Sequence, residues 1–201
     1  MTRVCLVGTE DVNLRYELLS RETARDALLT YDLREPFANT VAVETVSLGA
    51  AVALLNDLNW YLVRFAADAM VNEPSVSETE WLSRDLATAI RDDAVDPADT
   101  GRFLKVYGVR SPDPGGASAG GGAPAASPTD AGPKEDGAGE AAAGKDGQAG
   151  GREGVGPATE GTPRLLEPMF VTRTGETIPE YDLHEVEETL RVRVTEAEFG
   201  A

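Results

Sequence analysis

The chain has 201 residues with 18 basic and 35 acidic side chains, a formal net charge of −17, and so lacks the basic footprint of a nucleic-acid binder. A single cysteine, Cys5, excludes an intrachain disulfide or a cysteine-rich metal site, and a single histidine, His184, excludes a multi-histidine one. The charge is spread throughout: bases minus acids give 11 − 18 = −7 for residues 1–110, 3 − 8 = −5 for 111–163 and 4 − 9 = −5 for 164–201. Lysine is rare, with Lys105, Lys134 and Lys145 set against fifteen arginines. Such a balance suits molar salt, where a Debye length of about 3 Å screens self-repulsion. An ordinary acidic protein is the alternative.

Arg3–Val7 reads as a short buried strand, with Cys5 a small hydrophobe inside it. No signal-peptide pattern follows, because the apolar run breaks at Gly8 and meets Glu10 and Asp11. Leu14 to about Tyr31 predicts a helix with Tyr16, Leu19, Thr23, Ala27 and Tyr31 near one face. Pro36 and Asn39 break that pattern before a second strand at Thr40–Val46. Ser47 is placed to cap a helix whose stripe is Leu48, Ala51, Val52, Leu55 and Leu58. That helix is too short, and too polar at Asn56–Asp57, to cross a bilayer, which takes roughly twenty apolar residues.

Trp60–Phe65 has strand composition and predicts the third strand. Ser77-Glu-Thr-Glu80 reads as a capping box for a helix burying Trp81, Leu82, Leu86, Ala89 and Ile90. A loop over Asp92–Gly101 then leads to a fourth strand at Arg102–Val109. The order β-α-β-α-β-α-β predicts an α/β domain over residues 1–110, a mostly parallel four-stranded sheet with helices packed on it. A ferredoxin-like rival needs the second and third strands antiparallel. A helix of about eleven residues between them runs back roughly 16 Å, which favours parallel.

From Ser111 to Pro163, 34 of 53 residues are Gly, Ala or Pro, and Val155 is the only large aliphatic. The expectation is a disordered acidic linker, because so little apolar area cannot offset backbone entropy. Residues 164–201 form a β-rich segment: Met169–Thr174 has strand composition, and Val186, Leu190, Val192 and Val194 fall on even positions. Asp182-Leu-His-Glu185 could instead cap one helical turn. About 38 residues cannot build their own core. The segment is therefore expected to dock on residues 1–110, either in one chain or as a tail-swapped homodimer.

The runs DVNLRYELLSRETARDALLTYDL, TVSLGAAVALLNDLNWYLVRF, PSVSETEWLSR and HEVEETLRVRVTEAEF together resemble an uncharacterised family of small acidic proteins from extreme halophiles. The resemblance covers the first 110 residues and the tail but not the linker. It implies a cytoplasmic setting. The family carries no assigned activity, so no site residues follow from it.

Catalytic constellations are sparse. The turn Gly8-Thr-Glu-Asp11 has one glycine, two acids and no Walker lysine, which argues against a phosphate at the following helix. In a parallel sheet Glu10, Asp11 and Asp68 would share the carboxyl edge and could hold Mg²⁺, as in receiver domains. Solvated surface acids are the bland alternative. Lys105 lies inside the fourth strand, not at its end, which departs from the receiver pattern. His184 beside Glu185 reads as solvated, and Glu44 and Arg64 as either a cross-strand pair or two outward-facing residues. Tyr16, Tyr31, Trp60, Tyr61 and Trp81 are spaced as core residues, not as a base-stacking platform. The sequence thus favours a non-enzymatic binding or regulatory module with no cofactor, an unknown protein partner and no nucleic acid or membrane. The alternative is a receiver-like or Mg²⁺-dependent phosphotransfer domain.

Overall fold

The computed structural model describes residues 1–112, 161–175, 186 and 188–200. Strand β1 (Thr2–Gly8) lies between β2 (Thr40–Thr45) and β3 (Ala66–Asn72), antiparallel to both. β3 pairs antiparallel with the short β4 (Trp81–Ser83). The sheet then continues into strands from beyond residue 160. β8 (Glu188–Arg193) runs parallel to β4 and antiparallel to β5 (Phe103–Arg110). β5 also takes β6 (Arg164–Leu165) and β7 (Met169–Thr172), both antiparallel.

This sheet is mixed, mostly antiparallel and curled, not the mostly parallel four-stranded α/β sheet that strict alternation predicts. For β1, β2 and β3 the physical reason is the number of helices between strands. α1 (Leu14–Leu19) and α2 (Glu22–Leu28) join β1 to β2, and α3 (Leu48–Asp57) and α4 (Asn59–Phe65) join β2 to β3. One crossover helix returns the chain for a parallel strand. A second helical segment turns it again, and the next strand arrives antiparallel.

α4 is the residue run read from composition as the third strand. Its β-prone Trp60, Tyr61, Val63 and Phe65 are overridden by a helical stripe: Leu62 and Phe65 are buried, while Trp60, Val63 and Arg64 face solvent. The true third strand, AADAMVN, has weak strand propensity and is held by its pairing with β1. Similarly, Ser77-Glu-Thr-Glu80 begins no helix. The Glu80 N–H does donate to Ser77 Oγ at 3.1 Å, but β4 follows, and Ser83 caps α5 (Arg84–Arg91) by accepting from the Leu86 N–H.

One sheet face packs under the helices. Val4, Leu6, Val41, Val43, Val71 and Leu82 meet Leu14, Leu18, Ala51, Val52, Leu55 and Leu86 there. Each fully buried leucine among them contributes about 1.5–3 kcal/mol of transfer free energy. In the first helical region the buried residues are Leu14, Leu18, Ala24 and Leu28, so Tyr16, expected in the core, is 68% exposed. The helix breaks at Ser20–Arg21 and restarts, which changes the phase of the stripe. Ser47 does cap α3, accepting from the Ala50 N–H at 3.2 Å.

The other face curls inward around Cys5, Met70, Tyr107, Val192 and Val194. The Ala38 N–H, just before β2, donates to the Pro163 carbonyl just before β6 at 2.8 Å, so the two ends of the sheet nearly meet. α6 (Glu196–Phe199) covers part of this concave face. Phe199 packs its ring against Phe103 and Phe170, with centroids 4.8 and 6.1 Å away. A capping box between Thr195 and Glu198 fixes α6, and Glu198 also accepts from the Ser83 hydroxyl at 2.7 Å.

All described residues belong to one unit, Met1–Pro112 with Val155–Ala201. The expected disorder of 111–163, apart from that stretch's ends, lies outside the described residues, as do the turn at Asp182–Glu185 and any role of His184.

Candidate functional site

Alternation along β1, β3, β4 and β8 sends Arg3, Asn72, Trp81 and Leu190 to the concave face, where the curl leaves a cavity of about 330 Å³ beside β2. Phe37, Val109 and Leu190 supply apolar wall, and Trp81 a broad aromatic surface. Arg3 is held over the Trp81 ring, 5.4 Å from its centroid. Its Nε and Nη2 donate to Asn72 Oδ1 at 3.2 and 2.9 Å. Asn72 is itself buried and donates to the Ser77 and Glu80 carbonyls, so the guanidinium is positioned before any ligand arrives. Arg34, bonded to Glu44 at 3.1 Å, and Glu188 complete the charged rim. The formal charges of these two arginines and two glutamates cancel. A neutral or zwitterionic ligand fits that balance better than a phosphate does.

Deeper on the same face, Asp68 on β3 meets β5 across the curl. Lys105 Nζ donates to Asp68 Oδ2 at 2.8 Å, and the Tyr107 hydroxyl donates to the same oxygen. Oδ1 accepts from the Ala69 N–H at 2.8 Å. Burial, then the charge of Asp68, pushes the Cys5 thiol up to about 12, so at neutral pH it stays protonated and is no nucleophile. Burial, the Asp68 charge and the hydrogen bond to it likewise raise the Tyr107 phenol.

On the opposite face, Glu80 accepts from Arg193 Nε at 2.6 Å and from Arg173. Arg193 also donates to Thr100 Oγ1 at 2.9 Å. Burial raises the Glu80 carboxyl, but the bonds and charges of the two arginines outweigh it and hold the group below the usual carboxylate range. Gly101, with φ of 95°, sits against this cluster. A Cβ there would lie 3.2 Å from Arg193 Nε.

The three carboxylates proposed for Mg²⁺ are engaged separately. Asp68 is committed to Lys105 and Tyr107, Glu10 is exposed and accepts from Arg164 at 3.3 Å, and Asp11 is exposed. Among the described residues no group of three or more His, Cys, Asp or Glu side chains is placed to hold a metal ion. Gly8 is needed for a close approach: a Cβ on it would stand 2.5 Å from Asn39 Nδ2. Asn39 (φ 55°) uses that side chain to accept from the Leu14 N–H and to donate to the Thr9 carbonyl. Glu44 pairs with Arg34, while Arg64 lies on α4 with its guanidinium over Trp60.

Sequence reasoning missed Lys105, Tyr107, Glu80 and the two tail arginines. The signal for the first two was alternation: Lys105 and Tyr107 share a face of β5, as Asp68, Met70 and Asn72 do of β3. No local pattern announces Glu80, whose partners lie 93 and 113 residues away.

Fold and cavity together define a small protein with α1–α5 on one face of a mixed curled sheet and, on the other, the short α6 and a ligand-sized hollow. The chain belongs to a family of unknown function, DUF5804, which matches residues 2–109. Neither a curated protein nor a solved structure matches the chain. No helix among the described residues is long and apolar enough to cross a membrane.

Proposed function

We propose that the chain is a non-enzymatic binding module of a halophile's cytoplasm, and that its ligand site is the cavity between β2 and β8. The observation carrying this is Arg3, fixed by Asn72 over the Trp81 ring at the wall of a hollow about 330 Å³ in volume. A hollow of that size takes a compact metabolite, and its balanced charges favour a neutral or zwitterionic one with an apolar body. Acid excess with arginine in place of lysine supports the halophile part. The phosphotransfer alternative draws no support from Asp68, whose oxygens are already taken by Lys105, Tyr107 and the Ala69 amide.

Trp60→Phe leaves Trp81 as the sole tryptophan and lets its fluorescence report on the cavity. Neutral and zwitterionic metabolites are screened against this variant in 2 M KCl, by Trp81 emission and by melting midpoint. At [L] = 100 Kd a bound ligand adds about 2.7 kcal/mol to stability. A hit is expected to lose its effect when Ala42→Phe fills the hollow. Hits that stabilise both forms equally, or that are all polyphosphates, contradict the proposal.

A further inference from the structure

Within the family-matched residues 2–109 the sheet is incomplete. β2, β1, β3 and β4 form one block, and β5 pairs with none of them; its partners are β6, β7 and β8. β8 fills a slot one strand wide, with Trp81 opposite Val192 and Leu82 opposite Arg193 on one side and Leu104 opposite Arg193 on the other. Its side chains are read on both faces. Val192 and Val194 are buried in the concave core, and Arg193 points the other way to Glu80 and Thr100.

We propose that this slot between β4 and β5 is a strand-binding site which accepts the C-terminal segment of a second copy through the same contacts as the chain's own. The partner is defined by chemistry: an extended segment with apolar residues at alternate positions and an arginine between the last two, as in Leu190–Val194. An empty slot would leave the edges of β4 and β5 unpaired, so one segment or another must occupy it. Nothing in the contacts distinguishes the source, because the same hydrogen bonds, the same valines and the same Glu80 ion pairs form either way. β6 to α6 are joined to β5 through residues 113–160, and 48 residues span at most about 3.4 Å each, some 160 Å in all, which is long enough for either source. A covalent connection to the chain's own segment sets an effective concentration on the order of 1 mM, so exchange between copies competes only near that concentration. In the exchanged form each cavity takes Leu190 and Glu188 from the other copy. The proposal holds whatever the cavity binds.

The test breaks the cis pairing in two complementary ways. Arg193→Glu spoils the segment of one full-length chain and Glu80→Arg spoils the slot of another, and each alone is expected to be monomeric with a lowered melting midpoint. Refolded together in 2 M KCl at about 50 µM, they are expected to give a dimer by light scattering. One slot then regains its native Glu80–Arg193 pair, and the midpoint rises above that of either variant. A mixture that stays monomeric with two separate midpoints overturns the proposal. A second measurement covers variants that do not fold. A chain labelled at Ala197→Cys and one labelled at Asp57→Cys are unfolded and refolded together at about 1 mM, then diluted. Energy transfer between copies is expected, absent when the same chains are refolded at about 10 µM; no transfer at either concentration overturns the proposal.

Discussion

Replacing Glu80 by Gln removes the carboxylate that holds two arginines from the C-terminal segment. The Glu80 side chain is 6% exposed, and Arg193 and Arg173 are 14% and 19% exposed, so neither guanidinium can turn fully to water. Removing one partner of a buried pair costs about 3–5 kcal/mol, because the remaining charge is stranded. The residual exposure of the arginines and the hydrogen-bonding capacity of Gln place the expected loss at about 2–3 kcal/mol. At about 2–4 °C per kcal/mol for a domain of this size, the melting midpoint at pH 7 should fall by about 5–10 °C. Acid supplies a second signature. The Glu80 carboxyl is depressed in the folded state, so its contribution is complete above the unfolded value of 4.5 and is lost as pH falls through the lower folded value. Wild type and Glu80→Gln should therefore converge in acid. Melts from pH 7 to pH 3 in 2 M KCl measure both effects, and hydrogen exchange should show the β8 amides losing most protection. A difference under about 0.5 kcal/mol at pH 7, the size of an ordinary surface substitution, would refute the ion-pair reasoning.

Asp68→Asn should destabilise by about 2–4 kcal/mol by leaving the Lys105 ammonium unpaired, and adding Lys105→Met should restore much of the loss; denaturant midpoints of the single and double variants decide this. The Cys5 thiol is raised from 9.0 to about 12 in the folded state, so its contribution is complete below pH 9 and is lost as pH climbs toward 12. Cys5→Ala should flatten that alkaline limb by up to about 1.4 kcal/mol per pH unit, measured by urea unfolding between pH 8 and 11. With −17 formal charges, the wild type should melt higher in 2 M than in 0.1 M KCl, where the Debye length is about 10 Å; equal midpoints would remove the case for a halophile.

Local signals in the sequence hold along α3 and fail at Ser77-Glu-Thr-Glu80, which leads into β4. Ser47 caps α3 by the chemistry its position predicts, and Ala51, Val52, Leu55 and Leu58 form the buried stripe read from their spacing. Topology was not legible, because it turned on whether Trp60–Phe65 is strand or helix. Its residues favour a strand locally, and only the burial of Leu62 and Phe65 on one side makes it α4. That single change moves the third strand to Ala66–Asn72 and makes its pairing with β1 antiparallel. Site geometry failed for the same reason. A parallel sheet puts Asp68 at the carboxyl edge beyond a strand Trp60–Phe65, whereas on β3 it alternates with Met70 and Asn72 and faces Lys105 and Tyr107. The Glu80 cluster depends on strands joined through long sequence separation, which no window along the chain can register.

Backbone amide shifts in 2 M KCl test the cavity as a ligand site most directly. A metabolite that binds should move the amides of Trp81, Glu44, Val109 and Leu190, which surround the hollow from β4, β2, β5 and β8. Shifts confined to the exposed Trp60 and Val63 of α4, with those four unmoved at saturation, would contradict a ligand site on the concave face.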